Sequence, residues 1–259
     1  MPDYLDTLAV DTKRTIGEGY YKVESKISSA SMSLTDSILK CKRAPIISEI
    51  KFASPSSGMI ERNIEVEKIS REMERGGAVG ISVLTEPKHF KGSLRILAEV
   101  RSHVKIPILM KDIILRPQQI DAAYNVGANS VLFIETLFDR GYCEESLEEM
   151  VKYAHSKGLE VLLETHTEKE FKSALSTDAD MVGINNRDLK TLKVDLNTTK
   201  GVLERIHARD KIIVSESGIK TPEDIRFLRE CGADAFLIGS SIMTANNIKK
   251  AVRELVNAI

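Results

Sequence analysis

Eight short apolar runs recur between Pro45 and Ser240, each closing on polar residues, and this repeat limits the fold more than any other feature of the chain. They are PIISEI (45–50), GISVLT (80–85), PILMK (107–111), SVLFIE (130–135), EVLLET (160–165), MVGINN (181–186), IIVSES (212–217) and AFLIGS (235–240). Near-continuous apolar, β-branched character predicts strands covered on both faces, as in a parallel sheet. Amphipathic stretches fill the intervals. EVEKISREMERGG (65–77) places Val66, Ile69 and Met73 on one helical face before a glycine stop. SLEEMVKYAHSKG (146–158) ends on Gly158 as the residue after the C-cap, and TPEDIRFLRECG (221–232) opens with Thr221 as N-cap and Pro222 in the first turn. Eight β-α units in ~215 residues fit an α/β fold of the (β/α)8 TIM barrel class, whose usual size is about 250 residues. A doubly wound open sheet is the alternative. Its dinucleotide-binding form is weakened because no GxGxxG follows the first run.

Residues 1–44 lie outside the repeat. Leu5, Leu8 and Ala9 have helical spacing and LTDSILKCK reads as a second helix, so this segment is expected to be an N-terminal helical extension packed on the barrel. Residues 1–259 are then expected to form a single (β/α)8-barrel domain.

Composition excludes several partners. Lys and Arg total 37 against 38 Asp and Glu, so there is no global basic field to favour nucleic acid. No apolar run approaches the ~20 residues of a membrane helix, and the acidic start MPDYLDTLAV lacks the apolar core of a signal peptide. Cys41, Cys143 and Cys231 show no CxxC spacing, which suits free thiols in a reducing compartment and predicts a cytoplasmic protein. The five histidines form no HxH or HxxxH pair, so no metal is expected.

In a barrel of this kind the active site sits at the C-terminal ends of the strands. Those ends are polar here: Glu49 and Lys51, Lys111, Glu164, Asn185 and Arg187, Glu216 and Ser217, Gly239 and Ser240. Alternation puts Glu49 and Lys51 on one face, and likewise Asn185 and Arg187. Each has an ordinary explanation alone: a rim ion pair, a solvated lysine, a helix-capping glutamate, a tight turn. Polar ends on six strands of one barrel nevertheless converge on one cavity. The last two loops, SESGI (215–219) and IGSSI (238–242), carry a further signal. Gly218 and Gly239 let backbone N–H groups approach an anion and Ser240 adds a hydroxyl, where such barrels often hold phosphate. Ser54 reaches the same place from the first loop, because the first and last strands are neighbours in a closed barrel.

EIKFASPSSG resembles the E-x-K-x-x-S-P-S-x-G signature of the indole-3-glycerol phosphate synthase family. ISVLTEPKHFKGS, PILMKDI, VLLETH, GINNRDL, VSESGI and LIGSSIM are similar to that family in order and spacing, from about residue 40 to the end. The resemblance implies a lyase (decarboxylase) of tryptophan biosynthesis. It would close the ring of 1-(2-carboxyphenylamino)-1-deoxyribulose 5-phosphate with loss of CO₂ and water. The implied partner is that small phosphosugar; no cofactor is implied, and the oligomeric state stays open between monomer and weak homo-oligomer. By similarity Lys111 is the general acid and Glu164 the general base. Lys51 holds the substrate carboxylate or donates a proton later, and Glu49 and Asn185 orient lysines and hydroxyls. Arg187, Glu216 and Ser217 bind substrate, Leu132 and Phe90 wall its ring, and Ser54, Gly218, Gly239 and Ser240 hold its phosphate. The family's KDF is KDI here, so Ile113 leaves the aromatic wall to another residue such as Phe90. A lysine acid working near neutral pH is best served by burial or neighbouring cations that bring its pKa down. The competing expectations are another phosphate-binding barrel enzyme, such as a phosphoribosylanthranilate isomerase, or a non-catalytic phosphosugar-binding barrel.

Overall fold

A computed structural model of the chain describes residues 3–24, 26–27, 32–54, 58–59, 65–206 and 210–259. Eight parallel strands form the wall: β1 (Ile46–Ile50), β2 (Gly80–Leu84), β3 (Ile108–Lys111), β4 (Ser130–Ile134), β5 (Glu160–Thr165), β6 (Met181–Asn185), β7 (Ile212–Glu216) and β8 (Ala235–Ile238). Each of the eight runs holds one of them. β1 bonds to both β2 (Ile47 beside Gly80) and β8 (Ile46 beside Phe236), so the sheet closes and the open doubly wound alternative is excluded. Strands between two covered faces need apolar residues at nearly every position, and β1, β2, β4, β6 and β8 are buried throughout.

Local signals set the helices that cover the wall. Thr221 accepts from the Asp224 N–H and Pro222 opens helix Pro222–Glu230. Ser146 and Glu149 form a reciprocal capping box on helix Leu147–Ser156, whose chain exit passes through Gly158 at φ +74°. No helix among the described residues is long and apolar enough to cross a membrane.

The N-terminal extension supplies two helices, α1 (Tyr4–Gly17) and α2 (Leu34–Leu39), and they go to opposite ends of the barrel. α2 stands at the N-terminal ends of the strands. Its Leu34 fills the space over Gly80, where a β-carbon would lie 2.6 Å from the Leu34 side chain. α1 stands at the C-terminal ends. Arg140 holds Asp3 and Asp6, each at 2.7 Å, and His89 meets Asp11 at 2.9 Å. Just after α1, Tyr20 donates to the Thr85 carbonyl and Tyr21 donates to Asp112, both at 2.9 Å.

Candidate active site

Alternation along β1, β3, β5 and β7 turns one polar side chain from each strand end into the barrel mouth. Three of these groups surround the fourth, an ammonium. Lys111 Nζ lies 2.7 Å from Glu216 Oε2, 3.5 Å from Glu164 Oε2 and 3.6 Å from Glu49 Oε2. Glu49 also pairs with Lys51 at 2.9 Å. Asn185 bonds the Glu164 carboxylate through its side chain and accepts from the Arg187 N–H at 3.0 Å. Arg187 donates to the Leu192 carbonyl at 2.9 Å. Residues distant in sequence thus form one connected network.

Two glycines make the crowding possible. A β-carbon on Gly239 would lie 2.4 Å from Glu49 Oε1, and one on Gly183 would lie 2.3 Å from Glu216 Oε1. The Gly239 requirement is therefore room for a carboxylate, in addition to any approach of its N–H to an anion.

Burial and charge oppose each other at every group. Burial pushes the Glu164 carboxyl up, but Lys111 and His166 pull it far below the usual carboxylate range. Burial acts on Glu49 in the same way, and Lys51 with Lys111 brings it below its ordinary value. Burial pulls Lys111 down, yet Glu216, Glu164 and Glu49 more than offset this and hold it above an ordinary lysine. That reverses the sequence expectation of a depressed lysine: its neighbours are carboxylates, and each stabilises the ammonium. Glu216 is fully buried, and burial raises it to about 8; Glu164 adds to the rise and Lys111 opposes it.

Two cavities meet at this cluster, and Glu49, Lys51, Lys111, Arg187 and Ser217 line both. One is largely apolar, walled by Leu132, Phe90 and Ile113 from the barrel and by Tyr4, Leu5 and Leu8 from α1. Ile113 thus keeps its place on the wall as an aliphatic residue, with Phe90 and Tyr4 the aromatic ones. The other cavity is lined by Gly218, Gly239 and Ser240 and also by Lys220, Ser241 and Thr244. Ser241 donates to the Ile219 carbonyl at 3.1 Å and ties the last two loops together. Ser217 holds a left-handed φ of +67° and Gly218 one of +87°, which turns the chain sharply at the end of β7. Ser54 sits in a two-residue strand, Ala53–Ser54, paired with Gly58–Met59; its side chain lies outside the described residues.

Several neighbours had no signal strong enough to single them out. His166, two residues beyond Glu164, brings Nε2 to 3.2 Å from its carboxylate. Glu86 accepts from the N–H groups of Lys88, His89 and Phe90 at 2.9, 2.7 and 3.0 Å, which fixes the loop carrying Phe90. Asp112 is buried and pushed up to about 7, while accepting from Thr85, Tyr21 and the Ile113 N–H.

The match to known proteins coincides with this geometry. Residues 6–255 match the family described as indole-3-glycerol phosphate synthase. The chain belongs to that family. A curated relative of that name from Methanocaldococcus jannaschii is 48% identical over 87% of this chain and 83% of its own. Another from Ruminiclostridium cellulolyticum is 39% identical over 94% and 95%. Among solved structures, a thiamine phosphate pyrophosphorylase from Pyrococcus furiosus is 19% identical, covering 85% of this chain and 96% of its own with a TM-score of 0.59. An N-acetylmannosamine-6-phosphate 2-epimerase from Clostridium perfringens is 14% identical, with a TM-score of 0.62 over 84% and 93%. These two likenesses speak to the fold alone. Within the indole-3-glycerol phosphate synthase family the polar strand ends are the natural place to seek the chemistry.

Proposed function

We propose that the protein converts 1-(2-carboxyphenylamino)-1-deoxyribulose 5-phosphate to indole-3-glycerol phosphate, releasing CO₂ and water, at the cluster centred on Lys111. One observation carries this: the apolar cavity and the glycine- and serine-lined cavity are joined by Lys51 and Lys111. Such a substrate has an aromatic carboxylate at one end, a phosphate at the other and the reacting carbonyl between them.

The carboxyphenyl ring enters among Leu132, Phe90 and Ile113, and Lys51 binds its carboxylate. The phosphate lies against Gly218, Gly239 and Ser240, with Ser54 closing from the first loop. Ring closure joins the ring carbon that bears the carboxylate to the ribulose carbonyl. Negative charge grows on the carbonyl oxygen, and the Lys111 ammonium protonates it. CO₂ then leaves and its bonding electrons restore the aromatic ring. Loss of water needs a proton on the departing hydroxyl and a base for the carbon-bound proton beside it. Glu164, held ionised by Lys111 and His166, is that base. Glu49 and Asn185 keep the lysines and Glu164 in place, Arg187 and Ser217 contact the substrate between the two cavities, and Glu216, expected from sequence to bind substrate, instead lies buried behind Lys111 and lines neither cavity. Residues 1–44 act as part of the same domain, since α1 walls the ring side.

Purified protein mixed with the carboxyphenylamino-ribulose phosphate should evolve CO₂ and indole absorbance one for one. Isomerisation of a phosphoribosyl amine instead, or binding without turnover, would point to one of the other barrel functions.

A further inference from the structure

Resting on that assignment, we infer that Glu216 is a proton relay between Glu164 and Lys111, recharging the acid within a turnover. Gly183 of β6 lies between β5 and β7, paired with Glu164 on one side and Val214 on the other. With no side chain there, Glu216 Oε1 occupies the space a β-carbon would take, and the Glu216 and Glu164 carboxyl groups come within hydrogen-bonding reach. Two carboxyl groups in contact share a proton, because like charges so close do not both ionise. The other Glu216 oxygen is 2.7 Å from Lys111 Nζ. Glu216 has no solvent exposure, and Oε1 has no donor partner among the described groups. The other charged or titratable groups facing this trio are Glu49 on Lys111, and His166 and Arg187 on Glu164. Glu164 Oε2 also lies 3.5 Å from Lys111 Nζ, so the three groups form a triangle in which Glu216 is the member nearest the acid and the one shut off from water.

The proton balance gives the third member of this triangle a use. Ring closure takes the proton of Lys111 onto the carbonyl oxygen, and Glu216 replaces it with its own. Loss of CO₂ removes the substrate's carboxylate charge, so one proton is consumed overall. Lys111 then gives a second proton to the departing hydroxyl, which leaves as water, while Glu164 takes the carbon-bound proton. That proton passes through the Glu216 carboxylate to Lys111. Lys111 ends protonated and Glu164 ionised, and one solvent proton, taken up through the partly exposed Lys111, returns Glu216 to its starting form. Glu216 acts through its neighbours and forms no bond to substrate atoms in this scheme.

Single-turnover experiments on Glu216→Gln separate a relay from a structural part. Glutamine keeps the shape and an acceptor for Lys111 but carries no transferable proton. The expected result is CO₂ release within about threefold of wild type, followed by indole formation slowed on the order of 10²-fold, the lower end of general acid–base effects. A small buffer acid such as imidazolium should restore the indole step. Glu216→Asp, which carries a proton but falls one methylene short, should show the same split, and melting curves report folding of both. CO₂ and indole falling together, with no response to buffer, overturns the relay. Failure of wild type to release CO₂ from the substrate would instead overturn the assigned reaction.

Discussion

Glu160 and Glu164 open and nearly close the same strand, four residues apart, and they do opposite things. The Glu160 carboxylate takes four fixed neutral donors from the start of α2: Ser33 Oγ at 2.5 Å, Leu34 N at 2.7 Å, Thr35 N at 3.2 Å and Thr35 Oγ1 at 2.6 Å. It caps a helix and seals the barrel floor. Glu164 faces a lysine, a histidine, a second carboxyl group and an open cavity. A carboxylate saturated by rigid neutral donors stabilises one conformation. A carboxylate whose partners are themselves titratable can exchange protons. Under the proposed mechanism the two ends of the barrel divide stability from chemistry.

The sharpest way to break this contrast is to change each glutamate to glutamine. Glu164→Gln should lower kcat by about 10²–10⁴, the range for a lost general base, far beyond what its accompanying loss of stability explains at a temperature where the variant is folded. Glu160→Gln should leave kcat intact and cost about 1–3 kcal/mol, a drop of several degrees in Tm for a chain of this size. Equal loss of activity in both would erase the division.

Gly239→Ala probes the crowding at the chemical end. Its methyl would meet Glu49 and push it off Lys51 and Lys111. Overpacking of this kind costs about 1–3 kcal/mol, and kcat/KM should fall well beyond what that loss of stability explains at a temperature where the variant is folded. Unchanged kinetics would show that Glu49 does not need this position.

Protonation gives a subtler signature. Glu216 binds its proton more tightly folded than unfolded, at about 8 against an ordinary 4.5. Its contribution is fully present below about 4.5 and is lost as pH rises through about 8. Glu49 and Glu164 are lowered, so theirs is present above the ordinary value and lost as pH falls through their folded pKa values. Substrate-free protein should lose Tm from pH 5 to 9, and Glu216→Gln should flatten that slope; an identical slope in both would contradict the assignment to Glu216.

The smallest effect is expected at α1. Arg140→Ala removes its hold on Asp3 and Asp6 near the surface, for about 1 kcal/mol or less. Because α1 walls the apolar cavity, KM should rise modestly while kcat stays unchanged. A fall in kcat without a change in KM would mean that α1 does more than shape the cavity.

Much of this was legible before the fold was seen. Continuous apolar runs located all eight strands, since a doubly covered strand has few other compositions open to it. The polar ends marked the mouth because charge there has no packing purpose. What the sequence did not mark is what tertiary contact alone decides. Leu5 and Leu8 have the spacing of any packed helix, and spacing does not say which end of a barrel the helix covers. The proton affinity of Lys111 was misjudged because its three carboxylates come from positions 49, 164 and 216, gathered only by closure. Glu86, Asp112 and His166 lie inside recognisable motifs, but their roles depend on backbone and side-chain partners that one-dimensional order conceals.

The most direct test is Lys111→Ala, followed by equilibrium binding and turnover of the carboxyphenylamino-ribulose phosphate on the same preparation. A folded protein that still binds the substrate but has lost at least ~10³ in kcat is the predicted result. Turnover at the wild-type rate would remove Lys111 from the chemistry and contradict the proposed mechanism at its centre.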